Sequence, residues 1–171
     1  MPTRIDAPVL LVGPPDANHL ALRPLRRSHP DSEDFWEGNW LKVDVSVLAG
    51  AFRGTFEADL RCDEFEQLLE QLSALQGAAQ GAAALESAEG WVSLRLTLDP
   101  RGRLVGTCEV RDDPALGSSL RFELAADQAG RPAMLDALAG ILRAFPVVGH
   151  PGDEPEDLLE PEGEPDAPDD A

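Results

Sequence analysis

Leu41, Val43, Val45 and Val47 alternate with Lys42, Asp44 and Ser46, the two-residue period of a strand with one buried and one wet face. After Ala49-Gly50 the alternation resumes. Phe52, Phe56, Ala58 and Leu60 point one way, and Arg53, Thr55, Glu57, Asp59 and Arg61 the other, so the two runs form a hairpin whose outer face carries mixed charge. The period then changes to that of a helix, with Phe65, Leu68, Leu69, Leu72 and Leu75 on one stripe. Asp63 and Glu66 read as a carboxylate form of the capping box, and Gly77 as the stop. The stretch from Gly77 to Leu85 could extend this helix, although Gly77 and Gly81 favour a loop entering a short strand at 83–87. Three further alternating runs follow, at 92–98, 104–110 and 120–124. Asp99-Pro100-Arg101-Gly102 and Asp112-Asp113-Pro114 with Gly117 mark the turns between them, giving an antiparallel meander. Pro132 then opens a second helix with Leu135, Leu138, Ile141, Leu142 and Phe145 as its stripe, and Pro146 ends it.

Upstream of the hairpin, 9–12 and 20–25 are shorter candidate strands separated by Gly13-Pro14-Pro15-Asp16, and Pro24 should confine the second to a sheet edge. Each strand offers one apolar face and each helix one stripe. The expected fold is therefore α+β: a curved, mostly antiparallel sheet of seven or eight strands with two helices on its apolar face. Residues 1–150 form one domain in this reading. Residues 151–171 have only Leu158 and Leu159 as sizeable apolar groups and should form a disordered, acidic, Pro-rich tail.

Charge narrows the range of partners. The 171 residues carry 32 Asp and Glu against 14 Lys and Arg, a formal net charge of −18. Ten of the acids and none of the bases lie beyond residue 150, which leaves 22 acids against 14 bases, or −8, for the body. Direct nucleic-acid binding needs clustered bases and is disfavoured, whereas a basic protein partner is favoured. The same charge also serves solubility with no partner implied. No run approaches the roughly 20 apolar residues of a membrane span, and the N-terminus lacks the pattern of a secretory signal. Cys62 and Cys108 indicate no disulfide framework, so a cytoplasmic location is expected.

Catalytic chemistry is hard to assemble from this chain. His19, His29 and His150 have no second ligand at metal spacing, Gly13-Pro14-Pro15 is not followed by Gly-Lys-Ser/Thr, and Ser28, His29 and Asp31 lack the scaffold of a triad. No cofactor or metal is expected. Two rival readings remain: a small-molecule or regulatory binding domain, which requires a deep pocket, and an enzyme whose groups converge only in three dimensions. The exposed-aromatic signal is stronger. Phe35, Trp36 and Trp40 fall within six residues of one another, and either cap one end of the core or anchor a partner through Trp36 or Trp40. Acids at expected exposed positions, Glu57 and Asp59 on the hairpin, Glu86 and Glu89 before Trp91, and Asp112 and Asp113 in a turn, complete the candidate contact set.

Several short patterns resemble one family. Asp34-Phe35-Trp36-Glu37-Gly38-Asn39-Trp40-Leu41, the Gly54-x-Phe56-x-Ala58-x-Leu60 strand, Glu89-Gly90-Trp91, Asp127-Gln128 and Phe145-Pro146-Val147-Val148-Gly149 resemble the WapI-like immunity proteins of bacteria, over residues 20 to 149. The resemblance implies a small cytoplasmic antitoxin that binds and neutralises the nuclease domain at the C-terminus of a cell-wall-associated or contact-dependent toxin. An acidic protein can block the basic cleft of such a nuclease by electrostatic complementarity. The resemblance carries over no interface residue, and the acidic tail lies outside it.

Overall fold

In the computed structural model, which describes residues 7–153, the expected hairpin is formed by β3 (Trp40–Ala49) and β4 (Phe52–Arg61). Leu41 faces Leu60, Val43 faces Ala58 and Val45 faces Phe56 on the inner side, while Lys42 faces Asp59 and Asp44 faces Glu57 on the outer. Gly50 and Ala51 close it. Gly50 takes φ +61° at the first central position, where a two-residue hairpin loop needs the left-handed region that glycine enters freely. The remaining strands are β1 (Leu10–Val12), β2 (His19–Arg27), β5 (Ala82–Glu86), β6 (Val92–Leu98), β7 (Leu104–Arg111) and β8 (Ser119–Ala126). The helices are α1 (Phe35–Gly38), α2 (Cys62–Ala74) and α3 (Arg131–Ala144).

The eight strands form two four-stranded antiparallel sheets, β1-β2-β3-β4 and β5-β6-β7-β8, rather than the single sheet expected. β1 and β8 lie side by side without a shared ladder. β1 is only three residues long because Gly13 turns the chain away at φ +99° and Pro14 and Pro15 have no N–H to continue a ladder. Asn18, in the turn after β1, joins the two sheets. It accepts from Gly50 N–H at 2.8 Å and donates to the Glu123 carbonyl at 2.8 Å.

The helices supply the layer that both sheets need. α2 packs on β5 and α3, and α3 reaches β1. Their stripes, Phe65, Leu68 and Leu72 with Met134, Leu138 and Ile141, join Leu10, Leu22, Leu41, Leu60, Leu94 and Leu96 in one continuous buried cluster. Each such side chain contributes about 1.5–3 kcal/mol through burial.

Four local expectations are corrected. Pro24 lies in β2, a central strand, because the three-residue β1 pairs only with Leu20 to Leu22; beyond that point the β2 edge is open, and the register against β3 shifts between Pro24 and Arg26. Helix α2 starts two residues earlier than the expected capping box, so Glu64, not Glu66, reaches back to accept the Arg61 N–H at 2.7 Å. A third helix, α1, occupies the aromatic segment; Asp34 caps it by accepting from Trp36 and Glu37 N–H at 2.9 Å. The two ends of β4 also invert the expected burial: Phe52 on the apolar row is 67% exposed, and Arg61 on the polar row is 5% exposed. The expected tail beyond Asp153 lies outside the described residues.

Candidate functional site

Strand register decides what the candidate acids can do. On the outer face of β2, β3 and β4 the acids are Asp44, Glu57 and Asp59, and the bases are Arg23, Arg26, Lys42 and Arg53. Glu57 pairs with Arg26 at 3.3 Å and Asp59 with Lys42 at 2.5 Å. The second sheet is equally balanced: Glu86 pairs with Arg95 at 2.5 Å and Glu109 with Arg111 at 3.4 Å. Glu89 accepts from the Trp91 indole at 3.3 Å. Asp112 and Asp113 organise their own turn, accepting from Ser118, Ala115 and Leu116 N–H. Six of the eight sequence candidates are therefore spread over both sheets with local partners, and they form no single patch.

Acids on segments without any Lys or Arg of their own lie elsewhere. Between His29 and Asn39 the chain holds Asp31, Glu33, Asp34 and Glu37 with no Lys or Arg, and α2 holds Asp63, Glu64, Glu66 and Glu70 with none either. Arg61 brings these two segments together at the end of the first sheet. Its Nη1 and Nη2 donate to the Trp36 and Phe35 carbonyls at 2.8 Å, and its Nε to Asp63 at 2.9 Å. The guanidinium carbon lies 5.1 Å from the ring centres of Phe35 and Trp40 and 5.8 Å from that of Trp36. A weakly hydrated planar cation held by three rings and three acceptors is strongly fixed. Trp40 is thus mainly a wall of this cage. Trp36, half exposed, presents the rest of its ring to solvent on a segment that carries acids and no Lys or Arg.

Asn39 ties the segment after α3 to the same corner. Fully buried, it donates to the Phe35 and Val148 carbonyls at 2.8 and 2.9 Å and accepts from Val148 N–H at 2.9 Å. Gly149 follows in the left-handed region (φ +67°), and a Cβ there would come within 2.6 Å of Phe35 N. Arg27 adds hydrogen bonds to the Gly38 and Pro146 carbonyls. Arg61, Asn39, Glu64 and the acids Asp31, Glu33 and Asp63 were not among the sequence candidates. The base-free run beside the aromatics was the signal that could have found several of them.

Glu64 is the most perturbed carboxyl. Burial pushes it up from its ordinary value near 4.5 to about 7, against the lowering effect of the Arg61 and Ala88 N–H groups it accepts. Between pH 4.5 and 7 the folded protein holds a proton that the unfolded chain releases, so this group makes stability fall as pH rises through that window. The total fall is on the order of 3 kcal/mol. Urea unfolding of Glu64→Gln is expected to show this slope removed, with the variant less stable than wild type at pH 5 because one N–H loses its acceptor.

The remaining features offer little for catalysis. Burial raises the Cys62 thiol to about 11 and the Cys108 thiol to about 12, which keeps both protonated. Among the described residues no group of three or more His, Cys, Asp or Glu could hold a metal ion, and no helix is long and apolar enough to cross a membrane. A half-open groove of about 380 Å³, lined by Pro15, Asp16, His19 and Arg53 among others, lies between the β1–β2 turn and the hairpin. It lacks the enclosure that small-molecule recognition uses.

A family model described as immunity protein WapI-like family matches residues 11–146. No curated protein and no solved structure matches the chain.

Proposed function

The chain belongs to the WapI-like immunity protein family, and from that premise we propose that it is a cytoplasmic, non-enzymatic antitoxin that binds a basic toxin domain, a nuclease, through the acidic corner around Trp36. Family membership is the observation that carries the reading. The charge distribution supports the choice of partner, since a nuclease grips its substrate with bases and an acidic protein can occlude them. The corner combines a half-exposed Trp, anchored from below by Arg61, with Asp31, Glu33 and Glu37 on the same short segment. A Trp held on a rigid base is a common interface hot spot. The net charge of −18 acts at longer range, by steering encounter.

Co-expression with the C-terminal domain of a large secreted protein encoded by the adjacent gene tests the reading: a stable complex and restored growth are expected. Absence of both would reject that pairing. Within a complex, Trp36→Ala is expected to weaken binding about 30-fold, corresponding to the roughly 2 kcal/mol of a hot-spot truncation. Association should also slow as salt rises, because exposed charges are screened over about 8 Å at physiological ionic strength. A rate independent of salt would rule out steering.

A further inference from the structure

Hydrogen bonds at the ends of the ladders fix which backbone groups each edge strand turns outward. Cys62 N–H donates to the Asn39 carbonyl at 2.9 Å, just beyond β3 and β4. By the alternation of antiparallel pairs, Phe52, Gly54, Phe56, Ala58 and Leu60 bond to β3, while Arg53, Thr55, Glu57, Asp59 and Arg61 turn their N–H and C=O groups to the free edge. The Arg61 N–H on that edge is taken by Glu64. The same alternation from Ser87 N–H to Val92 C=O places Ala84 and Ala88 on the outer edge of β5. There the Gln71 amide both donates to and accepts from the Ala84 backbone, at 3.2 and 2.9 Å, and Glu64 accepts the Ala88 N–H. On β8, Asn18 takes the outward Glu123 carbonyl. Side chains thus cover parts of the other long edges, whereas from Arg53 to Asp59 the β4 edge has no such cover among the described residues.

The inner side of the same stretch is unfinished as well. Phe52 is two-thirds exposed, and Phe56 is only partly buried, stacked on Trp91 at 6.3 Å and 21°. An apolar row beside an open backbone ladder offers pairing to an extended peptide, with alternate side chains falling on the aromatics.

We propose that the β4 edge from Arg53 to Asp59 receives an extended strand of the toxin, with apolar residues over Phe52, Phe56 and Trp91 and basic ones beside Glu57 and Asp59. This rests on the antitoxin reading and adds a second contact to it. A second copy of the chain is the poorer occupant, since each carries −18 and two would repel. On β4 itself the outward row runs Arg53, Thr55, Glu57, Asp59, so the acids occupy its second half, their bases Arg26 and Lys42 lying on β2 and β3.

Thr55→Pro tests the inference with the full chain and the inactivated toxin domain of the adjacent gene. The Thr55 N–H faces outward, so proline breaks no ladder bond within the protein, as edge strands tolerate, yet it removes a donor and blocks an incoming strand. Binding is expected to fall about 30-fold, as for two lost backbone hydrogen bonds. Phe52→Glu, at an exposed position, should weaken binding without unfolding the chain. By NMR-detected exchange on the wild type, the amides of Arg53, Thr55, Glu57 and Asp59 should become protected in the complex. A wild-type complex that leaves those amides unprotected, or that folded Thr55→Pro forms equally well, overturns this inference and leaves the antitoxin reading standing. No wild-type complex overturns both. A toxin-free dimer abolished by Thr55→Pro overturns the choice of occupant in favour of a second copy.

Discussion

Arg61→Ala is expected to lower the unfolding free energy by about 3–5 kcal/mol, the scale at which one partner of a buried ion pair is lost. The substitution leaves the Trp36 carbonyl without its donor, the Phe35 carbonyl with one of its two, Asp63 without its cation, and a void between three aromatic rings. Since domains of this size are stable by only about 5–15 kcal/mol, the loss removes a large part of the total. Arg61→Lys should recover less than half of it, because an ammonium cannot serve three acceptors from one plane. Urea unfolding followed by tryptophan fluorescence measures both, and two of the three Trp report directly on the cage. A cost under about 1 kcal/mol would mean that Arg61 is an ordinary surface cation.

That corner also shows where the sequence is legible and where it is not. Alternation gave the hairpin, and the pairing of Leu41 with Leu60 and Lys42 with Asp59 bears it out, because a strand with one buried face fixes its own register. The family resemblance was legible in short turn and strand patterns, and a family model matches over residues 11–146. The division into two sheets was not legible, since it depends on how early β1 ends and on Asn18 bridging residues distant in sequence. Period two placed Arg61 on the wet face, which is right for the strand alone. What buries it is α1, a four-residue helix too short to show a period, although Asp34 followed by Glu37 was a cap signal. Acids could be counted from the sequence, but their partners depend on register across three strands. The sequence candidates therefore included Glu57 and Asp59, which are paired, and missed the base-free run at Asp31 to Glu37.

Asn39→Ala is expected to cost about 2–4 kcal/mol, because it strips the partners from both the N–H and C=O of Val148 and one of the two donors from the Phe35 carbonyl. Asn39→Asp keeps only the acceptor for Val148 N–H, so it should recover a minority of that loss and raise exchange at the same amide less. The wider effect is on the partner-binding corner. Asn39 holds the segment after α3 against α1, and the Gly149 backbone fits beside Phe35 only while that tether is intact. Loss of the tether frees α1, and with it the orientation of Trp36, so toxin binding by Asn39→Ala should fall with no change to any residue that touches the toxin. Arg61 and Asn39 both donate to the Phe35 carbonyl, so their costs are coupled. Once one donor is gone, removing the second strips the last partner from a buried acceptor, and a double-mutant cycle should return a coupling energy of about 1 kcal/mol. Strict additivity would show that the two side chains support the corner independently, and that the shared carbonyl does not link the strand end to the segment after α3.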